Sequence, residues 1–177
     1  MRSPRHQYLI LMSWFCLKDR TDKAIALICL ALLLVQIFLG AWTSTNYASL
    51  ACPDFPTCQG SFSPDMDFKN GFSLNQEVGP NYLYGLLDNP SRVAIHYSHR
   101  VTALILTFAY LVLISRLWFT AAAPLASSVG VILLTQISLG IMNVVYVLPL
   151  YIAIAHNLVA ALLLITTLTI NYLAWKR

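Results

Sequence analysis

Four long apolar runs constrain the fold of this chain more than any other feature of its sequence. Each run has roughly the 20 residues that an α-helix needs to cross about 30 Å of hydrocarbon. The runs are about Ala24–Thr43, Val93–Phe119, Leu125–Leu148 and Leu150–Trp175. Only 10% of the 177 residues are charged, against about 25% in soluble domains. The sequence therefore predicts an all-α integral membrane protein that folds as a bundle of four transmembrane helices.

The distribution of Lys and Arg predicts the orientation of this bundle. Eight of the eleven basic residues fall before the first run, at the turn between the second and third runs, or at the C-terminus. The positive-inside rule makes that side cytoplasmic, so both termini are expected inside and a loop over residues 44–91 is expected outside. Residues 1–23 are expected to be a cytoplasmic segment, either an interfacial helix or a disordered tail, ahead of a retained signal anchor. The net charge of +4 is then explained by topology, and no nucleic-acid partner is expected.

A short pattern recurs along the chain at an offset of 100 residues. Gln36-Ile37-Phe38-Leu39-Gly40 matches Gln136-Ile137-Ser138-Leu139-Gly140 at four of five positions. Both copies lie on helices that run from inside to outside, and a helix carrying a histidine follows each. The sequence therefore predicts a bundle of two parallel helix-hairpin repeats, related by an axis along the membrane normal. Helix packing alone also explains these Gln and Gly residues, because small residues allow helices to approach closely in a membrane.

Two cysteines lie in the predicted outward loop. Cys52 and Cys58 would face the oxidising side of the membrane, and the intervening Pro53 and Pro56 bend the segment. This arrangement predicts a disulfide. Zinc is disfavoured because no histidine or further cysteine accompanies the pair. A redox-active role remains open, since a short loop can strain a disulfide and raise its reduction potential.

Two histidines occupy similar depths on the second and fourth predicted helices. Counted from predicted helix starts near Ser91 and Leu150, His99 lies about eight residues deep and His156 about six, or roughly 9–12 Å at about 1.5 Å per residue. Ala103 and Ala160 follow them four positions later, on the same helix faces, and leave room for a flat ring. We expect His99 and His156 to ligate the iron of one haem in the bundle core, although a single histidine at such a place can also be structural.

Several motifs together resemble the bacterial haem A synthase family. They are Gly40–Tyr47, Ala51–Cys58, Ile95–Arg100 and Ala155–Asn157. Members of that family oxidise a methyl group of haem O to the formyl group of haem A for assembly of terminal oxidases in the bacterial cytoplasmic membrane. They have eight spans in two homologous halves, and this chain resembles the C-terminal half.

The resemblance also implies roles for individual residues. His99 and His156 would ligate haem b, and Cys52 and Cys58 would form the loop disulfide. Arg100 would contact a haem propionate or extend to the interface as a structural residue. In the family's first half, a glutamate lies three residues before the first ligand, whereas here His96 lies three before His99. His96 is thus a weak candidate for an acid–base group or a second propionate contact.

Two hypotheses of function follow from these observations. In the first, the chain is a haem A synthase that acts on haem O, completes itself by self-association or with another four-span chain, and receives its substrate from haem O synthase. In the second, it is a non-catalytic b-type haem protein that transfers electrons, or the cofactor half of a two-chain enzyme. The cysteine loop and the two ligands favour the first hypothesis, while the missing glutamate favours the second.

Overall fold

The computed structural model describes residues 20–75, 85–120 and 122–176, and in these ranges the only regular elements are helices and one isolated β-bridge. The helices are α1 (Arg20–Thr45), the short α2 (Phe68–Gly71), α3 (Asn89–Trp118), α4 (Ala123–Val145) and α5 (Leu150–Trp175). The four long helices are each long and apolar enough to cross a membrane. The prediction of an all-helical, multi-pass membrane protein is therefore confirmed.

The four long helices pack in a closed ring. Helix α1 contacts α3 and α5, and α4 contacts the same two helices, so the order around the bundle is α1, α3, α4, α5. The packing of α1 against α5 closes the ring. The two histidine-bearing helices, α3 and α5, lie diagonally opposite each other across its centre.

The helix ends differ from the predicted spans where polar residues begin a helix. Helix α3 begins at Asn89, two residues before the predicted helix start near Ser91 and four before the apolar run begins at Val93. Asp88 caps this end by accepting a hydrogen bond from the Ser91 amide over 3.1 Å, and Pro90 occupies the first turn, where its missing N–H costs little. A search for apolar runs does not detect such a polar first turn.

The other helix ends differ from the predicted spans by a similar amount. Helix α1 begins at Arg20, four residues before Ala24, whereas α4 ends at Val145, three residues before Leu148. The predicted cytoplasmic segment 1–23 lies outside the described residues over 1–19.

The apolar core fills the half of the bundle away from the 46–88 loop, which we call the far half. Its fully buried residues come from all four long helices: Ala26, Cys29, Tyr110, Leu113, Val129, Leu163, Ile170 and Ala174 among others. The half next to the loop, the loop half, contains the histidines and most of the buried polar side chains. The apolar packing thus supports a polar site above it.

Candidate functional site

His99 lies against α1 at the level of a glutamine and a glycine. The Gln36 side-chain nitrogen is 3.1 Å from Nδ1 of His99 and 3.3 Å from Nε2, and it donates to the His99 main-chain carbonyl over 3.1 Å. A Cβ placed on Gly40 would lie 3.2 Å from Cε1 of His99, tighter than ordinary van der Waals contact. Glycine at this position therefore allows the imidazole to pack directly on the α1 backbone.

His156 has the same two neighbours on α4. The Gln136 side-chain nitrogen is 3.1 Å from Nε2 of His156, and a Cβ on Gly140 would lie 3.2 Å from Cε1 of the ring. The two Gln-Ile-x-Leu-Gly segments therefore match in their contacts as well as in their sequence. Each segment presents a glycine and a glutamine to one histidine.

One hydrogen bond crosses between the two histidine-bearing helices. The hydroxyls of Tyr110 on α3 and Thr167 on α5 meet at 2.5 Å. His99 precedes Tyr110 by eleven residues, and His156 precedes Thr167 by the same interval. Eleven residues make about three helical turns, so each histidine lies on the same helix face as the hydroxyl below it. The two histidines therefore lie at a common level on the facing sides of α3 and α5, about 16 Å along the helices from the hydroxyl pair.

The difference in helix starts does not disturb this match. His99 is ten residues from the beginning of α3, rather than the predicted eight, and His156 is six from the beginning of α5. The extra turn of α3 extends toward the loop, beyond the level of the histidines. Equal spacing from the Tyr110–Thr167 contact, rather than from the helix ends, places them at a common level.

Several buried polar atoms around the histidines have no hydrogen-bond partner within the described ranges. They are Oε1 of Gln36 and of Gln136, Oδ1 of Asn143 and Nδ1 of His156. An unpaired buried donor or acceptor costs about 1–3 kcal/mol. Imidazole nitrogens are common protein ligands of haem iron, and each imidazole here packs closely on a glycine of the neighbouring helix. The residues at this level therefore fit a haem.

No further protein ligand for a metal joins the two histidines among residues 20–75, 85–120 and 122–176. No three His, Cys, Asp or Glu side chains in those ranges are grouped so that they could hold an ion. The donor set of the described site is thus a pair of imidazoles.

His96 and Arg100 lie one turn apart on α3 and hold the loop, an arrangement that we call the loop clamp. His96 is 5% exposed, and its Nδ1 donates to the Ala48 carbonyl over 3.0 Å. Arg100 donates from Nε to Nε2 of His96 over 3.2 Å, and from its two terminal nitrogens to the carbonyls of Thr57 (2.8 Å) and Cys52 (2.9 Å). The described partners of both side chains thus give them a structural role. The acid–base role of His96 and the propionate contact of Arg100 stay predictions.

The clamped segment contains a disulfide. Cys52 and Cys58 are bonded and buried, which confirms the predicted pairing, while a redox role stays a prediction. Asp54 organises the turn between them, because it accepts hydrogen bonds from the Thr57 hydroxyl and from the amides of Gln59 (2.6 Å) and Gly60 (3.0 Å). These bonds hold the pKa of the Asp54 carboxyl below its usual range, and the bond from the Thr57 hydroxyl has the largest effect.

Sequence reasoning did not assign Asp54 or Thr57 a role, although a local signal for one exists. Aspartate commonly bonds main-chain amides and hydroxyls a few residues further along the chain. The same segment also forms a cation–π contact with Arg100, whose guanidinium carbon is 5.8 Å from the Phe55 ring centroid.

Two further contacts fix the rest of the loop over α1 and α3. The Trp42 indole donates to the Gly71 carbonyl over 3.0 Å, and the Tyr97 hydroxyl donates to the Phe62 carbonyl over 2.7 Å. Gly71 packs so closely on α3 that an added Cβ would lie 2.7 Å from the Ser91 carbonyl oxygen. The described parts of the loop therefore form a cap over the α1–α3 side of the bundle.

Comparison with known proteins gives a consistent set of similarities. Residues 15–168 match the COX15-CtaA family, described as cytochrome oxidase assembly protein. The chain is 44% identical over 154 residues to a heme A synthase of Shewanella oneidensis, covering 86% of the chain and 47% of that protein. It is 32% identical to heme A synthases of Methylobacterium radiotolerans (84% of the chain, 39% of that protein) and Erythrobacter litoralis (77% and 36%). The chain thus spans less than half the length of each of these relatives. No solved structure gave a significant match.

Proposed function

The chain belongs to the COX15-CtaA family of cytochrome oxidase assembly proteins, and on that premise we propose that it is a haem A synthase-like membrane protein. In this proposal it takes part in oxidising a methyl group of haem O to the formyl group of haem A. The observation that carries the proposal is the pair of histidines, His99 and His156, at one level on opposite helices with matched glycine and glutamine neighbours. The 44% identity to a heme A synthase supports it.

In this proposal each group of residues around the two histidines has its own role. His99 and His156 would hold haem b, and Gly40 and Gly140 let the imidazoles pack on the neighbouring helices. The Tyr110–Thr167 contact closes the centre of the bundle on the side of the far half. The loop clamp holds the disulfide segment over the opposite side. When bound between two imidazoles, haem supplies one-electron transfer rather than an open position for oxidant.

If the haem between His99 and His156 only transfers electrons, the reaction requires a second haem site for the substrate. One ring of four helices with one facing pair of histidines holds one haem, so haem O would bind in a neighbouring bundle. A second copy of this chain or another four-helix half would supply that bundle, and closed two-fold dimers are the commonest such assembly. Haem O synthase would supply the substrate, and His96 stands as the weak candidate for an acid–base group.

We further propose that the bundle consists of two parallel helix-hairpin repeats. The contacts Gln36–His99 and Gln136–His156 join equivalent positions, and Gly40 and Gly140 meet the same ring atom at the same distance. In the ring order, α1 lies opposite α4 and α3 lies opposite α5. That arrangement is the one expected for a two-fold axis along the bundle.

We propose that the chain lies in the bacterial cytoplasmic membrane with both termini inside. The distribution of basic residues supports this orientation. It places residues 44–91, with the disulfide and the loop clamp, on the oxidising outer side.

A non-catalytic b-type haem protein is the second candidate. The observation in its favour is that His96, which replaces the family's glutamate, is bonded at both ring nitrogens to the Ala48 carbonyl and to Arg100. A group held in this way is poorly placed to exchange protons with a substrate.

The experiment that tests the proposed function is expression in cells that make haem O but lack haem A synthase, followed by extraction of the haems. Haem A is expected when this chain is expressed, and it should be absent with His99→Ala. Extracts that contain haem O and haem b but no haem A, from cells in which the chain has bound haem b, would support the second candidate and contradict catalysis by this chain.

A further inference from the structure

Gln36 and Gln136 are amides in the membrane interior that touch the two histidines. Each is in contact with its imidazole at 3.1 Å, and each leaves its own side-chain oxygen buried without a partner within the described ranges. Packing on helices does not require an amide at either position, since leucine fills a similar volume. The polar end of the side chain therefore needs its own explanation.

An imidazole that binds iron through Nε2 carries its proton on Nδ1. Metal-bound histidines almost always donate this N–H to a neighbouring acceptor, which fixes the tautomer and the ring orientation and makes the ring a stronger donor to the metal. Nδ1 of His156 is buried and has no partner among the described residues. The ligand set thus needs an acceptor beside each ring.

The unpaired oxygens of the two glutamines match this need. The Gln36 amide nitrogen lies 3.1 Å from Nδ1 of His99 and donates to the His99 main-chain carbonyl. A half-turn of the amide about its terminal torsion would give up that donation and present Oε1 to Nδ1 in place of the nitrogen. Gln136 and His156 are in contact through their side-chain nitrogens. Oε1 of Gln136 is an unpaired acceptor, and Nδ1 of His156 is an unpaired ring nitrogen that can carry a proton. Reorientation of these two groups pairs the atoms and releases Nε2 of His156 from the amide.

We propose that Gln36 and Gln136 are positioning residues that accept the Nδ1–H of His99 and His156 when haem is bound. This inference rests on the proposed haem site and adds that the repeated glutamine tunes the haem as well as orienting its ligands. An imidazole with an acceptor on Nδ1 donates more electron density to iron and stabilises the ferric state. The two glutamines therefore hold the reduction potential of the haem low.

The test uses the full-length chain purified in detergent and titrated with haem b. The variants are Gln36→Leu and Gln136→Leu, which remove the acceptor at similar volume, and Gln36→Glu and Gln136→Glu, which keep one. Asn171→Leu is the matched control, because Asn171 is a buried amide in the far half that donates to the Ala26 carbonyl over 3.0 Å. The readouts are haem affinity, reduction potential and the electron paramagnetic resonance spectrum of the ferric haem.

Each leucine variant is expected to bind haem about 10–100-fold more weakly, at a higher reduction potential and with an altered ferric spectrum. Each glutamate variant should return the potential to the wild-type value or below it, and Asn171→Leu should leave it unchanged. Leucine variants with the wild-type potential, or an equal shift in Asn171→Leu, would overturn the inference.

The outcomes separate this inference from the proposed haem site. A chain that binds no haem, or whose haem spectrum survives both His99→Ala and His156→Ala, contradicts the site itself. Haem binding that depends on both histidines but is indifferent to both glutamines contradicts only the positioning role.

Discussion

At the scale of single residues, Arg100 connects the histidine-bearing helix to the disulfide segment. Its two bonds to the carbonyls of Cys52 and Thr57 join a charged donor to neutral acceptors, and bonds of this kind each contribute about 1.5–3 kcal/mol. Arg100→Gln should therefore lower the free energy of unfolding by a few kcal/mol, on the order of those two bonds. It should also speed reduction of the disulfide by an added thiol.

Arg116 is the matched control for this substitution on the same helix. It is about half exposed and forms one ion pair, with Asp22, at 3.8 Å, and such pairs contribute about 0–1 kcal/mol. Arg116→Gln should leave the rate of disulfide reduction unchanged. Equal reduction rates for Arg100→Gln, Arg116→Gln and wild type would contradict the loop clamp.

The glycines at the histidine level permit a similar matched comparison. A Cβ at Gly40 or Gly140 would press on an imidazole at 3.2 Å, whereas a Cβ at Gly130 meets the Ile114 side chain at an ordinary 3.9 Å. Gly40→Ala and Gly140→Ala should each weaken haem binding by about 10-fold, because overpacking a filled site costs about 1–3 kcal/mol. Gly130→Ala should bind haem as wild type does and stabilise α4 by about 0.5–1 kcal/mol. A haem titration of the three variants measures this, and equal affinities would show that close packing on the rings is unimportant.

Local sequence patterns predicted some of these residues and missed others. The Cys52–Cys58 disulfide was predictable because its partners are six residues apart and lie in a segment bent by proline. The role of His96 was not, because its partner is the main-chain carbonyl of Ala48, on another element 48 residues away. Every residue has a main-chain carbonyl, so no side-chain motif predicts which carbonyl a histidine will contact.

At the scale of helices, the contact between Tyr110 and Thr167 shows that α3 and α5 face each other across the bundle. A double-mutant cycle with Tyr110→Phe and Thr167→Val measures this contact in the far half, away from the histidines. We expect a coupling free energy of about 0.5–1.5 kcal/mol, typical of one hydrogen bond. A coupling of zero, measured by unfolding in detergent, would place the two helices in another arrangement.

The helices themselves were predictable from hydropathy, since four apolar runs of sufficient length became four long helices. Their ring order was not predictable from composition. It depends on contacts between helices distant in sequence, such as the bond from Asn171 to the Ala26 carbonyl, which ties α5 to α1. The Gln-Ile-x-Leu-Gly repeat carried real information here, because it marked the two residues that contact each histidine.

At the scale of the whole molecule, the four helices close on themselves around one pair of facing histidines. The bundle therefore has the parts to hold one haem, and the chain spans less than half the length of the heme A synthases to which it is similar. Under the proposed function, catalysis would depend on a second bundle, whereas haem binding would not. The number of haems bound per chain, and the residues that bind them, are consequently the quantities on which the account depends.

The most direct measurement is the absorption and electron paramagnetic resonance spectrum of the purified chain titrated with haem b. We expect one low-spin, six-coordinate haem per chain, since both axial positions are filled by imidazoles. His99→Ala and His156→Ala should each abolish the low-spin signal, whereas His96→Ala should retain it. A low-spin spectrum that persists unchanged in both His99→Ala and His156→Ala would contradict the proposed site.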